Sequence, residues 1–246
     1  MSALKRYNDY GPLADLYENH WDHRKSSLFM LQKLLLPYIP KGSRVLDLCC
    51  GTGHLAEALV SRGFKVTGVD GSAEMLSHAR KKLPRADFIL ADAREFKMPP
   101  VFKAVISTLD SLNHILKLEE LEMVFGNVFN SLETGGYFLF DLNTEEAYRR
   151  EWHKSSHIIK DDNVCIVHGG YDPDKKIGTT HVLMFFMEGA WKRSDLTFYQ
   201  KCYSREEVLS ALGRAGFGEI EVLRAREDLK MRGRLAIGRN IYRARK

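Results

Sequence analysis

The stretch that decides the fold is Val45–Gly53, which reads VLDLCCGTG. A mostly apolar run, typical of a buried strand, leads directly into two glycines, and a helix-forming sequence follows at once. A second apolar run, Val66–Asp70 (VTGVD), ends in a carboxylate. Gly51 and Gly53 allow a tight turn that a ligand can approach without meeting a Cβ atom. In open α/β sheets this pattern is typical of a site for an adenosine-containing cofactor, with the Asp70 carboxylate accepting hydrogen bonds from the ribose hydroxyls.

The composition favours one large globular domain. The chain has 246 residues, of which 44% are hydrophobic, and its net charge of +5 does not by itself indicate a nucleic-acid partner. Its four cysteines, two of them adjacent at Cys49 and Cys50, show neither metal-ligand spacing nor a disulfide framework. The first residues lack the apolar core of a signal peptide, and no apolar run is long enough to span a bilayer. We therefore expect a cytoplasmic protein with no metal site and no membrane partner.

The order of patterns along the first part of the chain predicts a parallel sheet. Between residues 44 and 141 strand-like runs alternate with helical runs, which favours helices on both faces of the sheet. The predicted strands are Arg44–Cys49, Lys65–Val69, Asp87–Ala91, Lys103–Ser107 and Tyr137–Asp141. The predicted helices are His54–Ser61, Ser72–Lys82 and Lys117–Leu132, preceded by a helical and aromatic stretch over residues 7–35.

The alternation of strands and helices stops after Asn143. Turn-forming residues then separate three predicted strands, which indicate an antiparallel insertion: Val164–Tyr171, Gly178–Met187 and Leu196–Tyr203. A capping-box sequence at Ser204 predicts a helix to Ala215. Two strands close the chain, Glu219–Arg226 and Leu235–Ala244. The predicted fold class is α/β, with a doubly wound, mostly parallel seven-stranded sheet and a small antiparallel insertion after strand five.

The glycine loop by itself admits two interpretations. Residues 51–56 (GTGHLA) fit the dinucleotide-binding pattern if Ala56 takes the place of its third glycine, and Asp70 lies at the distance expected for an NAD-binding acid. However, Asp47 inside the strand suits a cofactor with an ammonium group better than one that places a pyrophosphate at the helix N-terminus. An NAD-dependent dehydrogenase therefore remains an alternative, which nicotinamide binding would reveal.

Val45–Gly53 resembles the first motif of the class I S-adenosylmethionine-dependent methyltransferases, except that Cys49 stands where glycine is usual. Other stretches resemble the same family in the same order: residues 69–76 (VDGSAEML), 91–93 (ADA), 107–114 (STLDSLNH) and 132–137 (LETGGY). The resemblance covers residues 44–142 closely and residues 204–244 in general pattern. It implies a Rossmann-like methyltransferase fold with S-adenosyl-L-methionine as the cofactor and S-adenosyl-L-homocysteine as the product.

The resemblance also implies roles for the matched residues. Asp47 would anchor the loop and the methionine ammonium group, and Asp70 would bind the ribose. Asp92 would bind the adenine amine, and Met75 would pack on the adenine. Taken alone, Asp70 has a simpler explanation as a helix cap, Asp92 as part of a turn and Met75 as a core residue. The other residues expected at the cofactor are Cys49, Gly51, Gly53, Gly71, Ala93, Thr108 and Leu109.

The methyl acceptor would lie beside the loop after strand four. His114 in that loop is the candidate catalytic base, which a hydroxyl acceptor requires more than a neutral amine does. Tyr17 and Tyr199 are the other candidate acceptor-binding residues, and Gln200 alternates with Tyr199 on a strand of the insertion. Tyr17 and Trp21 share one face of the predicted N-terminal helix. They would form a lid over the cofactor, although packing of that helix on the sheet explains them equally well.

The overall organisation resembles the small-molecule branch of the family, in particular N-methyltransferases of amines and amino sugars. Within a single domain, 1–246, we expect a helical lid (1–36), a cofactor-binding core (37–143), an antiparallel insertion over the acceptor site (144–203) and a C-terminal helix with two strands (204–246). The resemblance implies methyl transfer by in-line displacement to a nitrogen or oxygen of a small molecule. It also implies a monomer or a homodimer.

Two further functional classes stay open. A tRNA or rRNA methyltransferase would use a basic C-terminal surface for phosphate contacts, whereas charges on the exposed face of a last strand are the simpler explanation. The basic residues are Arg224, Arg226, Lys230, Arg232, Arg234, Arg239, Arg243, Arg245 and Lys246. The other class is a cofactor-binding scaffold without an acceptor pocket, which turnover of any acceptor would exclude.

Overall fold

The structure is a computed structural model that describes residues 13–20 and 23–246. Its helices are α1 (Ala14–His20), α2 (Arg24–Leu34), α3 (His54–Val60), α4 (Ala73–Lys82), α5 (Leu118–Ser131), α6 (Glu145–Glu151) and α7 (Arg205–Arg214). Its strands are β1 (Arg44–Leu48), β2 (Lys65–Asp70), β3 (Asp87–Leu90), β4 (Phe102–Ser107), β5 (Leu132–Asn143), β6 (Ser156–Ile159), β7 (Asn163–Asp172), β8 (Ile177–Glu188), β9 (Ala190–Lys201), β10 (Gly218–Arg224) and β11 (Arg239–Arg245). Trp21 and the start of the predicted N-terminal helical stretch lie outside the described residues.

Seven strands form one sheet in the order β10-β11-β5-β4-β1-β2-β3. Strands β1 to β5 pair in parallel, whereas β11 is antiparallel to both β5 and β10. The chain adds β2 and β3 on one side of β1 and then crosses back to add β4 on the other side. In such sheets ligands bind at this reversal of strand order, beyond the carboxyl ends of the strands. The predicted doubly wound, seven-stranded α/β fold is confirmed.

The seven-stranded sheet is covered on both faces. Two adjacent residues of β1 show this, because Leu46 belongs to the core cluster that includes α5 and α7, and Val45 to the cluster that includes α2 and α3. Both side chains are fully buried. Burial on both faces explains why β1 reads as an almost continuous apolar run instead of an alternating one. Asp47 is the exception in that run, so its carboxyl group needs a specific partner.

A second sheet follows β5 in the order β6-β7-β8-β9, with all pairs antiparallel. The sequence predicted three strands in this insertion, and the structure has four, preceded by α6. Strand β6 has four residues at the edge of the sheet, too few to show an alternating pattern. Strand β9 begins at Ala190, six residues before the predicted start at Leu196. Its first residues, AWKRSD, are mostly exposed and polar on an outer strand, so the sequence shows no strand pattern there.

The described ranges, 13–20 and 23–246, contain neither a membrane-spanning helix nor a cluster of three or more metal-binding side chains. No helix there has the length and apolar character needed to cross a membrane. No group of three or more histidine, cysteine or acidic side chains there is arranged to hold a metal ion.

Candidate functional site

A cavity of about 140 Å³, here called the smaller cavity, lies at the carboxyl ends of four adjacent strands. It is lined by residues that follow β1, β2, β3 and β4 in turn, which is where open α/β sheets bind ligands. The residues predicted to contact the cofactor that line it are Cys49, Gly51, Asp70, Gly71, Met75, Ala93 and Leu109. Tyr17 and His114, both predicted at the acceptor, line it as well.

Asp70 joins the glycine loop to the end of β2. Its carboxylate accepts hydrogen bonds from the backbone N–H groups of Gly51 at 2.8 Å and of Ser72 at 2.9 Å, and from that of Gly71. Burial raises the pKa of Asp70, and these three donors oppose the rise. Each carboxylate oxygen has two lone pairs. Asp70 can therefore hold the loop and still accept hydrogen bonds from a ligand in the smaller cavity.

The glycine loop leaves open space where a ligand would approach. Gly51 and Gly53 have φ angles of 54° and 78°, a backbone region that favours glycine. A Cβ atom on Gly51 would meet no protein atom within 4 Å, whereas one on Gly53 would lie 3.0 Å from the Cβ of Ala79. Cys49 has a φ of 61°, so the residue that replaces the usual glycine keeps a glycine-like backbone. Gly51 thus borders the ligand space, and Gly53 lets α3 pack on α4.

Asp47 is buried beneath this loop at 3% exposure and does not line the cavity itself. Its carboxylate accepts a hydrogen bond from the backbone N–H of Ala56 in α3. Its Oδ2 atom has no hydrogen-bond partner within residues 13–20 and 23–246. Burial, followed by the negative charge of Asp70, raises the pKa of Asp47 to about 8. This unpartnered carboxyl oxygen, at the end of β1 and just before the glycine loop in the sequence, is compatible with a ligand that carries a cationic group.

Two side chains predicted at the cofactor bond elsewhere. The Asp92 carboxylate is buried and pairs with the Arg94 guanidinium at 2.6 Å. The Thr108 hydroxyl accepts a hydrogen bond from Ser27 of α2 at 3.0 Å. Neither residue lines the smaller cavity. Their proposed cofactor contacts stay predictions.

A larger cavity of about 410 Å³ adjoins the smaller one. Its walls come from α1, the loop after β4, the end of β5, α6, the insertion and the start of β11. The two cavities share the lining residues Tyr17, Leu109, Asp110 and His114, here called the junction. A group in the larger cavity can therefore meet a ligand in the smaller one at this point.

The backbone of the junction is held in an uncommon conformation. Leu109 and Asp110 have φ angles of 64° and 51°. Their backbone N–H groups both donate to the buried carboxylate of Asp141, at 2.8 and 3.0 Å. Single non-glycine residues in this region cost free energy and persist where surrounding contacts hold them, often at functional sites. Asp141 at the end of β5 supplies those contacts.

A side-chain network connects the junction to β9 and β11. Arg239 is 4% exposed and pairs with both Asp110, at 2.6 Å, and Asp141. The Nε2 atom of Gln200 donates to Asp110 at 2.7 Å and lies 3.1 Å from Nε2 of His114. All five residues except Asp141 line the larger cavity. The loop after β4 is thus held by side chains of three strands, β5, β9 and β11, that lie far from it in the chain.

Burial shifts the pKa values of two groups at the junction, His114 and Tyr17, in the direction that favours their neutral forms. Burial lowers the pKa of His114, against the opposing effects of Asp110 and of the Tyr199 backbone, which accepts a hydrogen bond from the ring. Burial, followed by the negative charges of Asp110 and Asp70, raises the pKa of Tyr17. At neutral pH His114 is therefore an imidazole that can accept a proton, and Tyr17 keeps its hydroxyl proton.

Two sequence-based assignments need correction. Tyr199 was predicted to bind the acceptor, but its side chain is 50% exposed and lines neither cavity. Its neighbours Phe198 and Gln200 line the larger cavity, because successive side chains of a strand point to opposite faces. Arg239, expected on an exposed strand face, is buried.

The sequence analysis missed most of the larger cavity's polar lining. Asp110, Asn143, Glu151, Trp152 and Arg239 all contribute to it. Asn143 follows the long apolar run of β5, at the same sheet edge as Asp70, and this position is the one signal that points to it. Asp110 lies in the loop after β4 that the sequence places beside the acceptor, whereas Glu151, Trp152 and Arg239 reach the cavity through tertiary contacts that no local pattern indicates.

The comparisons with known proteins agree on one family. The family described as "Methyltransferase domain" matches residues 45–136. The chain is similar to "Putative methyltransferase YqeM" of Bacillus subtilis (strain 168), with 29% identity over 85% of this chain and 86% of that one. It is also similar to "Putative methyltransferase GWCH70_2453" of Geobacillus sp. (strain WCH70), with 30% identity over 78% and 81% of the two chains.

Two further similarities concern the fold and one segment. A solved structure of an S-adenosylmethionine-dependent methyltransferase from Clostridium acetobutylicum superposes with a TM-score of 0.79 at 24% identity, over 97% of this chain and 99% of that one. A dTDP-3-amino-3,4,6-trideoxy-alpha-D-glucopyranose N,N-dimethyltransferase from Streptomyces venezuelae is 36% identical over 39% of this chain and 41% of its own length. The Geobacillus relative aligns over most of both chains, and the family match covers the strands whose ends form the smaller cavity. The chain therefore belongs to the class I S-adenosylmethionine-dependent methyltransferases.

Proposed function

We propose that this protein transfers a methyl group from S-adenosylmethionine to a nitrogen or oxygen atom of a small molecule bound in the larger cavity. The observation that carries the proposal is the meeting of two cavities at Tyr17, Leu109, Asp110 and His114. One cavity lies where the fold binds cofactors, and the other has the volume of a small-molecule site, about 410 Å³. Such an arrangement aligns two reactants for a direct displacement.

The smaller cavity would hold the cofactor. Asp70 would accept hydrogen bonds from the ribose hydroxyls, Met75 would pack on the adenine and Asp47 would stabilise the ammonium group. Cys49, Gly51, Gly53, Gly71, Asp92, Ala93, Thr108, Leu109 and Trp21 complete the proposed set. When bound, S-adenosylmethionine supplies an electrophilic methyl carbon whose bond to sulfur breaks with the electron pair staying on sulfur.

The larger cavity would orient the acceptor and exclude water. Residues 144–203 would cover it, residues 1–36 would close over the cofactor, and residues 204–246 would complete the sheet around the core of residues 37–143. For a hydroxyl acceptor, His114 would accept the proton, and its lowered pKa keeps it able to do so at neutral pH. Tyr17 would contact both ligands at the junction.

Two observations favour a small molecule over RNA as the acceptor. The partial relative from Streptomyces venezuelae is named for an amino-sugar nucleotide as its substrate. In addition, several arginines of the basic C-terminus are paired with acids and are not collected into a phosphate-binding surface: Arg224 with Asp228, Arg234 with Glu151, Arg239 with Asp110 and Asp141, Arg243 with Glu221, and Arg245 with Glu219.

Calorimetric titration tests the cofactor half of the proposal. We expect micromolar binding of S-adenosylmethionine and S-adenosylhomocysteine and no binding of NADH. Transfer of labelled methyl groups to a panel of small amines and alcohols then tests the acceptor half, with total tRNA as the competing substrate. Binding of NADH, or methylation of tRNA in preference to every small molecule, would overturn the proposal.

A further inference from the structure

Two histidines stand side by side on the face of the insertion sheet that is turned away from the larger cavity, here called the outer face. His168 of β7 and His181 of β8 are direct partners in the antiparallel register, so their side chains leave the same face of the sheet. Direct partners on antiparallel strands have Cβ atoms about 4.5–5.5 Å apart. Both histidines are exposed, and neither lines either cavity. They are therefore open to a ligand from solvent.

A hydroxyl group lies on the far side of each histidine. The Oγ atom of Ser155, just before β6, is 3.0 Å from Nδ1 of His168. The Oγ1 atom of Thr197, the partner of His181 on β9, is 3.0 Å from Nδ1 of His181. The four side chains thus form one row across the sheet, in the order Ser155, His168, His181 and Thr197. The two hydrogen bonds determine how each imidazole ring is turned.

This orientation places both Nε2 atoms on the inner side of the row. In an imidazole ring, Nδ1 and Nε2 lie on opposite sides of the axis that continues the Cβ–Cγ bond. Since each Nδ1 faces an outer hydroxyl, each Nε2 lies on the side of the other histidine. Within the part of the chain that the structure describes, neither Nε2 makes a hydrogen bond or an ion pair. When Nδ1 donates its proton to the hydroxyl, Nε2 keeps a lone pair for a ligand.

We propose that the Nε2 atoms of His168 and His181 bind one divalent transition-metal ion, such as Zn²⁺, Ni²⁺ or Cu²⁺, on the outer face. Imidazole nitrogen suits these ions. Metal–nitrogen bonds of about 2.0–2.1 Å require two nitrogens no more than about 4 Å apart, which side chains of directly opposed residues can reach. Ser155 and Thr197 accept the Nδ1 protons and so hold the rings in place, as partners of metal-bound histidines do. Water completes the coordination.

The ion joins the two central strands of the insertion behind one wall of the larger cavity. On the inner face, the residues next to the two histidines along each strand line that cavity: Val167, Gly169, Thr180 and Val182. Spacing along the chain does not indicate this pair, because the turn between β7 and β8 separates the two histidines. The site shares no residue with the proposed cofactor and acceptor sites, so it stands independently of the proposed function.

Calorimetric titration of the untagged, EDTA-treated protein with ZnCl₂, NiCl₂ and MgCl₂ tests the site. We expect one Zn²⁺ or Ni²⁺ ion per chain and no binding of Mg²⁺, which prefers oxygen ligands. His168→Gln and His181→Gln should each abolish this binding, and Ser155→Ala should weaken it by about tenfold. His153→Gln, which removes an exposed histidine after α6, is the matched control and should bind like the wild type.

Pulsed EPR of the Cu²⁺-loaded protein counts the imidazole ligands directly. We expect the signature of two imidazoles in the wild type and in His153→Gln, and of one at most in His168→Gln and His181→Gln. Circular dichroism shows whether each variant keeps its fold, and these substitutions on an exposed face should leave the spectrum unchanged. Absence of Zn²⁺ and Ni²⁺ binding in the wild type, or binding that persists in either histidine variant, would rule out the site.

Discussion

The two cavities share a junction but are built in different ways. The polar groups of the smaller cavity are close in sequence and largely backbone: the N–H groups of Gly51, Gly71 and Ser72 all bond to Asp70. The larger cavity depends on side chains of distant segments, since 90 residues separate Asp110 from Gln200 and 129 separate it from Arg239. The first is a local turn that the sheet positions, and the second is a tertiary assembly.

This difference indicates how each half responds to change. A turn built from backbone N–H groups keeps its hydrogen bonds when most of its side chains change. A side-chain network can be altered one residue at a time, so acceptor choice can change while cofactor binding is kept. The four experiments below test whether the two halves differ in this way.

The largest expected effect is on the side-chain network. Arg239→Met would leave the buried carboxylate of Asp141 and the partly buried carboxylate of Asp110 without their cation, and loss of one partner of a buried ion pair costs about 3–5 kcal/mol. We expect a fall in melting temperature of about 10 °C in calorimetry. Arg245→Met, which removes an exposed arginine from the same strand, is the control and should melt like the wild type. A variant as stable as the control would show that the network does not hold the larger cavity together.

The next effect concerns the backbone turn. Asp70→Ala removes the carboxylate that bonds Gly51 and Ser72 and, as we propose, the ribose. Since hydrogen bonds to charged groups contribute about 1.5–3 kcal/mol each, we expect affinity for S-adenosylhomocysteine to fall about 100-fold. Asp87→Ala, at the exposed start of β3, is the control. Unchanged affinity would refute the assignment of Asp70.

The cofactor edge could be predicted from sequence because its information is local. One apolar run, two glycines and one acid at a strand end predict a site at the carboxyl ends of these strands, where the structure has the smaller cavity. Cys49 fits the same turn because its backbone adopts the glycine-like φ of 61°. The fold class, a doubly wound and mostly parallel seven-stranded sheet, followed from the alternation of strands and helices together with the family resemblance.

The acceptor side could not be predicted to the same depth. Whether Tyr199 or Gln200 lines the larger cavity depends on the pairing of β9 with β8, where Tyr199 stands opposite Thr179. A shift by one residue exchanges the two faces of a strand. Arg239 is buried because it pairs with Asp141 on the neighbouring strand, and the arginine-rich sequence of β11 does not indicate which arginine is buried. Helix α6 was not predicted because it is short and polar, with paired charges on its exposed side.

The third expected effect is intermediate in size and concerns Asp47, where one substitution should raise stability and lower cofactor affinity. Burial raises the pKa of Asp47 to about 8, above its value of about 3.9 in an unfolded chain. The fold therefore prefers the protonated acid, and stability present below pH of about 4 is lost as the pH rises through about 8. Asp47→Asn keeps a carbonyl for Ala56 and carries no charge. At pH of about 8.5 we expect the ligand-free variant to melt about 2–4 °C higher than the wild type.

The same variant should bind the cofactor less well, by about tenfold, because the ammonium group loses its anion. Calorimetry at pH of about 6 and about 8.5, with and without S-adenosylhomocysteine, measures both quantities. Asp87→Asn serves as the control. Lower stability at both pH values, or unchanged affinity, would contradict this account of Asp47.

The smallest effect concerns α1, the one described helix that contributes to both halves through Tyr17. The Lys82 ammonium of α4 donates to Glu18 of α1 at 2.8 Å and to the carbonyl of Thr52 in the glycine loop at 3.2 Å, and so connects α1 to the loop. Lys82→Met should weaken S-adenosylhomocysteine binding and raise the acceptor KM together, by about threefold to tenfold each, with the exposed Lys81→Met as control. A change in one constant alone would mean that α1 serves one cavity, and the two halves would then be joined only at the loop after β4.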